Sequence, residues 1–254
     1  MDTYPVATSF RKIAVLKALH LGDLLLTVPA LRALRRGCPG AEITLIGLPW
    51  ADQLVRRLTY LDRLLPFPGY PGMGEVEVDE QRLEAFFRQA RAYRYDLAVQ
   101  LHGNGSASNP FIAELGARYV AGYYVDPQHQ RLLNWALPYR DSEPEVLRCL
   151  RLVESMGLPS HGAHLEFPLL PSDHDDLDRV VPEPVHLWRR PIVAITPGAR
   201  APARRWNPAN FAAVAAGLYR QGAGTVVLLG AKGEEPLARQ VTDLAGIPVI
   251  DLSG

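Results

Sequence analysis

A carboxylate stands in the turn that follows an apolar run near the start of the chain. Residues 13–16 have the composition of a buried strand, and Gly22 and Asp23 lie in the turn that leads from this run into an amphipathic helix. Open α/β sheets bind ligands outside the carboxyl ends of their strands, so a carboxylate placed there can act as a general base. The alternative is that Asp23 only caps the helix by accepting free N–H groups. The local pattern by itself favours the cap.

A loop that contains glycine and several arginines follows a second apolar run, residues 192–196. It leads to Asn207 and Pro208, a cap and a first-turn proline that predict a helix start. Guanidinium groups and the N–H groups of a helix start bind phosphate, and the alternative is a solvated basic loop. The candidate phosphate-binding residues in this loop are Thr196, Gly198, Ala199, Arg200 and Arg204. No Walker loop and no Gly-x-Gly-x-x-Gly fingerprint occurs, which argues against a dinucleotide dehydrogenase.

Polar residues also follow the apolar run at residues 95–100. His102 and Asn104 stand on a glycine loop at this strand end, where they could bind sugar hydroxyl groups. The alternative is a simple strand-to-helix turn in which Ser106 or Ser108 caps the next helix. The local pattern favours the turn.

Two acidic residues follow the apolar run at residues 225–229. Glu234 or Glu235 could accept the two hydroxyl groups of a ribose, which is a common carboxylate role in nucleotide sites. The alternative is that they are acidic residues of the first turn of a helix, where a negative charge is favourable.

Composition excludes several classes of protein. The 254 residues carry 27 basic and 27 acidic side chains, so no global field favours nucleic acid and any anion site is local. Two cysteines form neither a disulfide framework nor a metal cluster, which suits a reducing cytosol, and the histidines lack metal-ligand spacing. No apolar run approaches the ~18 residues that span a bilayer, which leaves a peripheral membrane contact open.

Strand-like and helix-like segments alternate along the chain, which predicts parallel sheets covered by helices. We expect one domain at residues 1–158, a proline-rich connection at 159–190 with a short helix near 173–180, and a second domain at 191–254. The predicted strands are residues 13–16, 42–46, 95–100, 119–121, 192–196, 225–229 and 248–252. The predicted helices are residues 24–36, 51–58, 79–93, 109–115, 145–156, 208–220 and 234–245. Three strands are half of a doubly wound nucleotide domain, so we expect the second domain to be incomplete and the chain to be truncated.

These segments together resemble glycosyltransferase family 9, the lipopolysaccharide heptosyltransferases, which have two Rossmann-like parallel-sheet domains of the GT-B type. The resemblance covers nearly the whole chain, and three blocks carry it. The blocks are residues 12–16 with 21–31, residues 95–104, and residues 196–199 with 204–208.

The resemblance implies an enzyme that transfers a sugar, typically heptose, from a nucleoside diphosphate donor such as ADP-heptose to a lipid-linked core acceptor. It implies inversion at the anomeric carbon without a metal or other cofactor, in the cytoplasm. Asp23 matches the family's general base, and Gly22 beside it is a donor-binding and phosphate-binding candidate. The family's phosphate-binding segment matches the loop with Gly198, Ala199, Arg200 and Arg204, and the family usually has lysine where this chain has Arg204. Glu234 falls where the family places a ribose carboxylate, with Glu235 one residue away.

Acceptor contacts in such enzymes come from variable loops of the first domain. The matching loops here are residues 48–51, 66–77 and 123–140. The last of these loops holds Tyr123, Tyr124, Arg131 and Arg140, which could meet an anionic, lipid-linked sugar at a membrane surface. The acceptor-side candidates are His102, Asn104 and Arg131. An ordinary solvated loop is the alternative. The donor base and the acceptor are not readable from these residues.

One block of the family does not occur in this sequence. The Asp-[Ser/Thr]-Gly-x-x-His motif, which completes the family's donor site, is absent. We therefore expect weak donor binding and little turnover from residues 1–254, which calorimetry with ADP would test.

Two other functions stay open from the residues. A GT-B-like sugar-nucleotide epimerase would need further acids, bases or histidines at the donor sugar, and no clear set is evident. A non-catalytic nucleotide-binding module would use Asp23 only as a helix cap. Asp23→Ser separates the module from the transferase, because serine caps about as well as aspartate but is not a base.

Overall fold

The computed structural model describes residues 10–181, 188–199 and 201–254. They divide between residues 169 and 170 into two compact units, each with its own parallel sheet. The predicted boundaries at 158 and 190 stay predictions, because this division is drawn from contacts and does not test them.

The first unit is built on six parallel strands in the order β3-β2-β1-β4-β5-β6. This strand order is that of a doubly wound nucleotide-binding fold. The strands are β1 (Lys12–Leu16), β2 (Glu42–Gly47), β3 (Arg63–Pro66), β4 (Leu97–Gln100), β5 (Tyr119–Tyr124) and β6 (Trp135–Pro138). Between them lie α1 (Leu21–Leu25), α2 (Val28–Gly37), α3 (Asp52–Val55), α4 (Glu80–Tyr93), α5 (Ser108–Ala113) and α6 (Pro127–Gln130), and α7 (Glu145–Ser155) follows β6.

β1 lies at the centre of this sheet and is buried on both faces. Its side chains alternate between two apolar clusters. Ile13 and Val15 belong to the cluster that includes residues of α2 and α7, whereas Ala14 and Leu16 belong to the one that includes residues of α4 and α5. This alternation is the period of two that a strand imposes. It fixes where β1 ends, and so where the turn that follows it begins.

The helix predicted at residues 24–36 is two helices, and the prediction of one is wrong. Pro29 stands in the first turn of α2, after a break at Leu26 and Thr27. Proline has no N–H to continue the hydrogen bonds of α1, so the chain restarts the helix instead. The Thr27 hydroxyl donates to the Leu24 carbonyl oxygen at 2.6 Å and closes the first helix.

The sequence did not predict the four-residue strands β3 and β6 or the short helix α6. β3 and β6 are the edge strands of the sheet, each pairing with one neighbour. Four residues are too few to establish the alternation that identifies a strand.

The second unit has three parallel strands in the order β7-β8-β9. They are β7 (Ile192–Ile195), β8 (Thr225–Gly230) and β9 (Ile250–Ser253), with α8 (Pro171–Val180), α9 (Pro208–Arg220) and α10 (Glu235–Ala245). The predicted cap at the start of α9 is confirmed, since Oδ1 of Asn207 accepts from the N–H of Ala209 at 2.9 Å.

Candidate functional site

Asp23 lies in the first turn of α1, which begins five residues after the end of β1. The side chain is partly exposed, and the N-cap of the helix is His20. Among the residues that the structure describes, none forms a hydrogen bond or an ion pair with the Asp23 carboxylate. The interpretation of Asp23 as a plain helix cap is therefore wrong, because the carboxylate caps nothing.

Gly22 is exposed beside this carboxylate. A Cβ placed on it would meet no atom within 4 Å. Packing therefore does not require glycine at this position, and the space next to Asp23 is open.

The turn between β1 and α1 is held from both sides. The N–H of Lys17 donates to the Ile46 carbonyl oxygen at 3.0 Å, and the N–H of Ala18 donates to Nδ1 of His102 at 3.2 Å. Residues at the ends of β2 and β4 thus fix the start of the turn. The position of Asp23 follows from these contacts, which join strands that are distant in sequence.

Lys17 forms a buried ion pair that was not predicted from the sequence. Its side chain is fully enclosed, and Nζ lies 2.6 Å from Oε1 of Glu145 and donates to the Leu101 carbonyl oxygen at 2.8 Å. Arg148 pairs with the other oxygen of Glu145. The available signal was a lysine at the end of a buried strand, in a chain with very few lysines. Only the fold reveals the partner.

His102 is buried at the carboxyl end of β4, with 7% of its surface exposed. Burial, together with the positive charge of Lys17, lowers the pKa of His102 to about 4 and outweighs the opposing effect of Glu145. The ring is therefore neutral at pH 7. Because Nδ1 accepts the Ala18 N–H, the ring proton lies on Nε2. This nitrogen is 3.5 Å from Oε1 of Glu75.

Asn104 is exposed on the loop that follows His102. Its Oδ1 accepts from the N–H of Ser106 at 3.0 Å, which stabilises a tight turn. Neither Ser106 nor Ser108 caps α5, so that part of the alternative is wrong: the N-cap is Ala107, and Ser108 donates to the His102 carbonyl oxygen at 2.7 Å.

The loop expected at residues 123–140 is partly a strand and partly core. Tyr123 was expected to face an acceptor, but it lies in β5 with 2% of its surface exposed, and its hydroxyl donates to the Arg148 carbonyl oxygen. The expectation for Tyr123 is wrong because its strand position points inward. Arg131 and Arg140 are exposed, and Arg131 ends α6.

In the second unit, Gly198 and Glu234 are in direct contact. A Cβ on Gly198 would lie 2.1 Å from Oε1 of Glu234, so no other residue fits there unless the carboxylate moves. Oε2 of Glu234 accepts from the N–H of Ala231 at 2.9 Å, which holds the carboxylate at the ends of β7 and β8. Of the two acidic candidates, Glu234 is the one that lies against the glycine loop.

The other loop residues surround this contact less tightly. Thr196 is exposed directly after β7, and the Ala199 carbonyl oxygen accepts from Nε of Arg205 at 2.8 Å. Arg204 is exposed in a short 3₁₀ turn, Pro202–Arg204. Arg200 lies outside the described residues.

Neither cysteine is a nucleophile in this fold. Both are buried, and burial raises the pKa of Cys38 to about 11 and that of Cys149 to about 12. Within the described ranges, no group of three or more histidines, cysteines or carboxylates has the arrangement of a metal site. No helix in those ranges is both long and apolar enough to cross a bilayer.

Residues 83–253 match the family model described as glycosyltransferase family 9 (heptosyltransferase), and the match covers more than half of the chain. The chain belongs to glycosyltransferase family 9. This confirms the resemblance expected from the three sequence blocks.

Individual family 9 relatives agree with this assignment. The chain is 26% identical over 231 residues to lipopolysaccharide heptosyltransferase 2 of Salmonella typhimurium, covering 88% of this chain and 65% of the relative. It is 25% identical to lipooligosaccharide heptosyltransferase 2 of Haemophilus influenzae, covering 87% and 64%. The chain thus spans just under two thirds of the length of these curated relatives.

Solved structures support the fold of this family 9 chain. The glycosyl transferase family 9 structure from Veillonella parvula matches with a TM-score of 0.74 at 18% identity, over 98% of this chain and 70% of the other. The E. coli ADP-heptose LPS heptosyltransferase II matches with a TM-score of 0.71 at 20% identity, over 96% and 72%. With the two parallel sheets, these matches confirm the predicted GT-B-like α/β fold class.

Proposed function

We propose that the chain supplies the acceptor-side domain and the first part of the donor-binding domain of an inverting glycosyltransferase that works without a metal. The donor is a nucleoside diphosphate sugar, ADP-heptose, and the acceptor is a lipid-linked oligosaccharide of the lipopolysaccharide core. Family 9 membership and the names of the relatives, lipopolysaccharide heptosyltransferases, support this class of reaction. One E. coli structure of the same fold is described as a heptosyltransferase with ADP, which supports the choice of nucleotide.

The observation that carries the proposal is the unengaged carboxylate of Asp23 at the carboxyl end of β1. A carboxylate that caps no helix and pairs with no described cation is available to take a proton. In the proposed reaction it accepts the proton of an acceptor hydroxyl while that oxygen attacks the anomeric carbon. The diphosphate leaves as an anion from the opposite face, which inverts the configuration.

The donor half of the reaction is assigned to the loop after β7. The guanidinium groups of Arg200 and Arg204 would stabilise the charge that develops on the diphosphate, which is why the proposal needs no metal. Glu234, held against Gly198, would accept the ribose hydroxyl groups. Arginine at position 204 keeps the charge of the family's usual lysine but differs from it in reach and geometry.

The acceptor is proposed to reach Asp23 at the cytoplasmic face of the inner membrane, without nucleic acid as a partner. Large apolar side chains are exposed just after three strand ends of the first sheet, at Leu21, Trp50 and Val125. Such side chains suit the vicinity of a lipid-linked substrate better than open water. Turnover by residues 1–254 alone is proposed to be weak, since the family motif that completes the donor site does not occur in them.

Substitution of Asp23 tests the proposal on the full gene product that contains residues 1–254. Asp23→Asn should lower the rate of heptose transfer from ADP-heptose by roughly 10²–10⁴-fold, because it removes the general base. The midpoint of thermal unfolding should not change, since the carboxylate has no described partner to lose. Asp23→Ser should be equally inactive. A serine variant with wild-type transfer would instead identify a non-catalytic role for this residue.

A further inference from the structure

The connection between β3 and α4 forms a loop with a closed neck. Gly69 has a φ of +88°, and a Cβ on it would lie 2.7 Å from the Glu77 carbonyl oxygen, so the two stems of the loop touch. Arg82 ties the stems together, because Nε donates to the Pro68 carbonyl oxygen at 2.8 Å and Nη2 donates to that of Glu77. Residues 69–77 are therefore an Ω-loop, a compact loop whose ends meet.

The Ω-loop is packed against the body of the first unit. The ring of Tyr70 lies edge-on to Phe111, with ring centroids 5.2 Å apart, and its hydroxyl donates to Glu114 at 3.0 Å. Met73 is buried, and its N–H donates to the Tyr70 carbonyl oxygen at 2.9 Å. The conformation of the loop is thus set by packing, which places the side chain of Glu75 at a defined position.

The Glu75 side chain is largely buried, with 18% of its surface still exposed to a ligand, and its carboxylate lacks adequate partners. Oε1 lies 3.5 Å from Nε2 of His102, longer than an ordinary hydrogen bond, and Oε2 is shielded from solvent and has no hydrogen-bond partner in the described part of the chain. His102 is neutral at pH 7, so it supplies no countercharge. A shielded carboxylate oxygen without a hydrogen bond opposes folding, and such groups in native proteins call for a functional explanation.

The surroundings of Glu75 indicate what completes its hydrogen bonding. His102 lies two residues after the end of β4, at the same edge of the sheet as Asp23, because all six strands are parallel. Ligands of open α/β sheets bind at this edge. A carboxylate accepts hydrogen bonds only, so the missing group is a donor.

We propose that Glu75 is a specificity-determining residue that accepts hydrogen bonds from hydroxyl groups of the acceptor sugar. This inference rests on the proposed function. The Ω-loop places the carboxylate in advance, and the acceptor hydroxyl groups supply the donors that the protein leaves out. When the acceptor binds, its hydroxyl groups donate the hydrogen bonds that the Glu75 carboxylate lacks in the free protein. A ligand without such hydroxyl groups would leave the carboxylate unpaired, so Glu75 favours a polyhydroxylated ligand.

The experiment compares Glu75→Gln with Glu77→Gln in residues 1–254. Glu77 is an exposed residue of the same loop, so its variant makes the same charge change at a control position. The probe is a deacylated lipopolysaccharide core oligosaccharide, and its binding is measured by calorimetry and by saturation-transfer NMR. We expect Glu75→Gln to weaken binding at least ~10-fold, as for a lost hydrogen bond to a charged group, and Glu77→Gln to bind as the wild type does.

Thermal unfolding separates recognition from a structural role. Removal of a poorly paired charge should leave the unfolding temperature of Glu75→Gln equal to or above that of the wild type, whereas a structural partner of His102 would lower it. Equal binding by the wild type and Glu75→Gln would overturn the inference, as would a lowered unfolding temperature or a wild-type protein that does not bind the oligosaccharide. The transfer assay on Asp23 variants is independent of this binding measurement. A negative binding result would therefore overturn the role of Glu75 and leave the proposed function standing, and a negative transfer result would overturn the proposed function without deciding whether Glu75 binds the oligosaccharide.

Discussion

The ammonium group of Lys17 lies 2.6 Å from Oε1 of Glu145, although 128 positions separate the two residues. This contact joins the end of β1 to the start of α7, and Arg148 binds the other oxygen of the same carboxylate. The two cations and one anion are largely buried, so each charge depends on the others for compensation. The ion pair is thereby part of the support beneath the turn that carries Asp23.

Removal of Lys17 should destabilise the first unit strongly. Lys17→Met leaves the Leu101 carbonyl oxygen and one oxygen of Glu145 without their donor, and we expect a loss of ~3–5 kcal/mol in the free energy of unfolding. Urea unfolding followed by circular dichroism measures it. Lys232→Met, at an exposed position, is the control and should change the free energy by less than ~0.5 kcal/mol.

A double-mutant cycle identifies the ion pair as the cause. When Glu145→Gln is already present, Lys17→Met should destabilise the protein less than it does alone. The reason is that glutamine has no negative charge that would lose its partner. Equal losses in the two backgrounds would show that Lys17 contributes through packing and not through its charge.

Gly198→Ala should weaken nucleotide binding by displacing Glu234. The added methyl group would lie 2.1 Å from Oε1 of Glu234, so the carboxylate must leave its position. For the full gene product that contains residues 1–254, we expect the affinity for ADP, measured by calorimetry, to fall at least ~10-fold, the loss of one charged hydrogen bond. Wild-type affinity in the alanine variant would mean that Glu234 does not contact the ribose.

Gly217→Ala is the matched control in the same unit. This glycine lies inside α9, and a Cβ there would meet nothing within 4 Å. The substitution should leave ADP affinity unchanged and raise stability by ~0.5–1 kcal/mol, because alanine suits a helix interior better than glycine.

Stability should fall in mild acid because of His102. Its pKa is lowered from 6.5 to about 4 in the folded state, so between these values the unfolded chain binds more protons than the folded one. The free energy of unfolding should therefore decrease as the pH drops from 6.5 to 4, by up to roughly 3 kcal/mol from this residue. Urea titrations at a series of pH values measure the slope.

His102→Asn isolates this contribution. The Oδ1 of asparagine can replace Nδ1 as the acceptor for the Ala18 N–H, but asparagine does not titrate. Across this pH window, the free energy of unfolding of the variant should depend less steeply on pH. The number of protons taken up on unfolding, which sets this slope, should be lower by up to one. An unchanged slope would assign the acid sensitivity to other groups.

Local patterns are enough to predict most elements and the places where chemistry could occur. The buried runs at residues 13–16 and 225–229 mark two strands, and the candidate residues that follow them, Asp23 and Glu234, are recognisable from their types and spacing alone. These features are local, because a strand needs only a short apolar run and a helix start needs only a cap and a proline. The break before α2 is also local, since Pro29 carries it, but it was not predicted.

Tertiary structure decided which of these residues have partners. The pairs that it formed are Glu145 with Lys17, Glu75 with His102, and Glu234 with Gly198. The carboxyl ends of parallel strands lie at one edge of a sheet, and helices and loops connect one strand to the next. Residues that are distant in the sequence therefore meet at that edge. The same geometry left Asp23 without a described partner. Sequence alone determined the types and order of these groups. Their burial, protonation and pairing depend on contacts between residues that lie tens of positions apart, and no local pattern encodes such contacts.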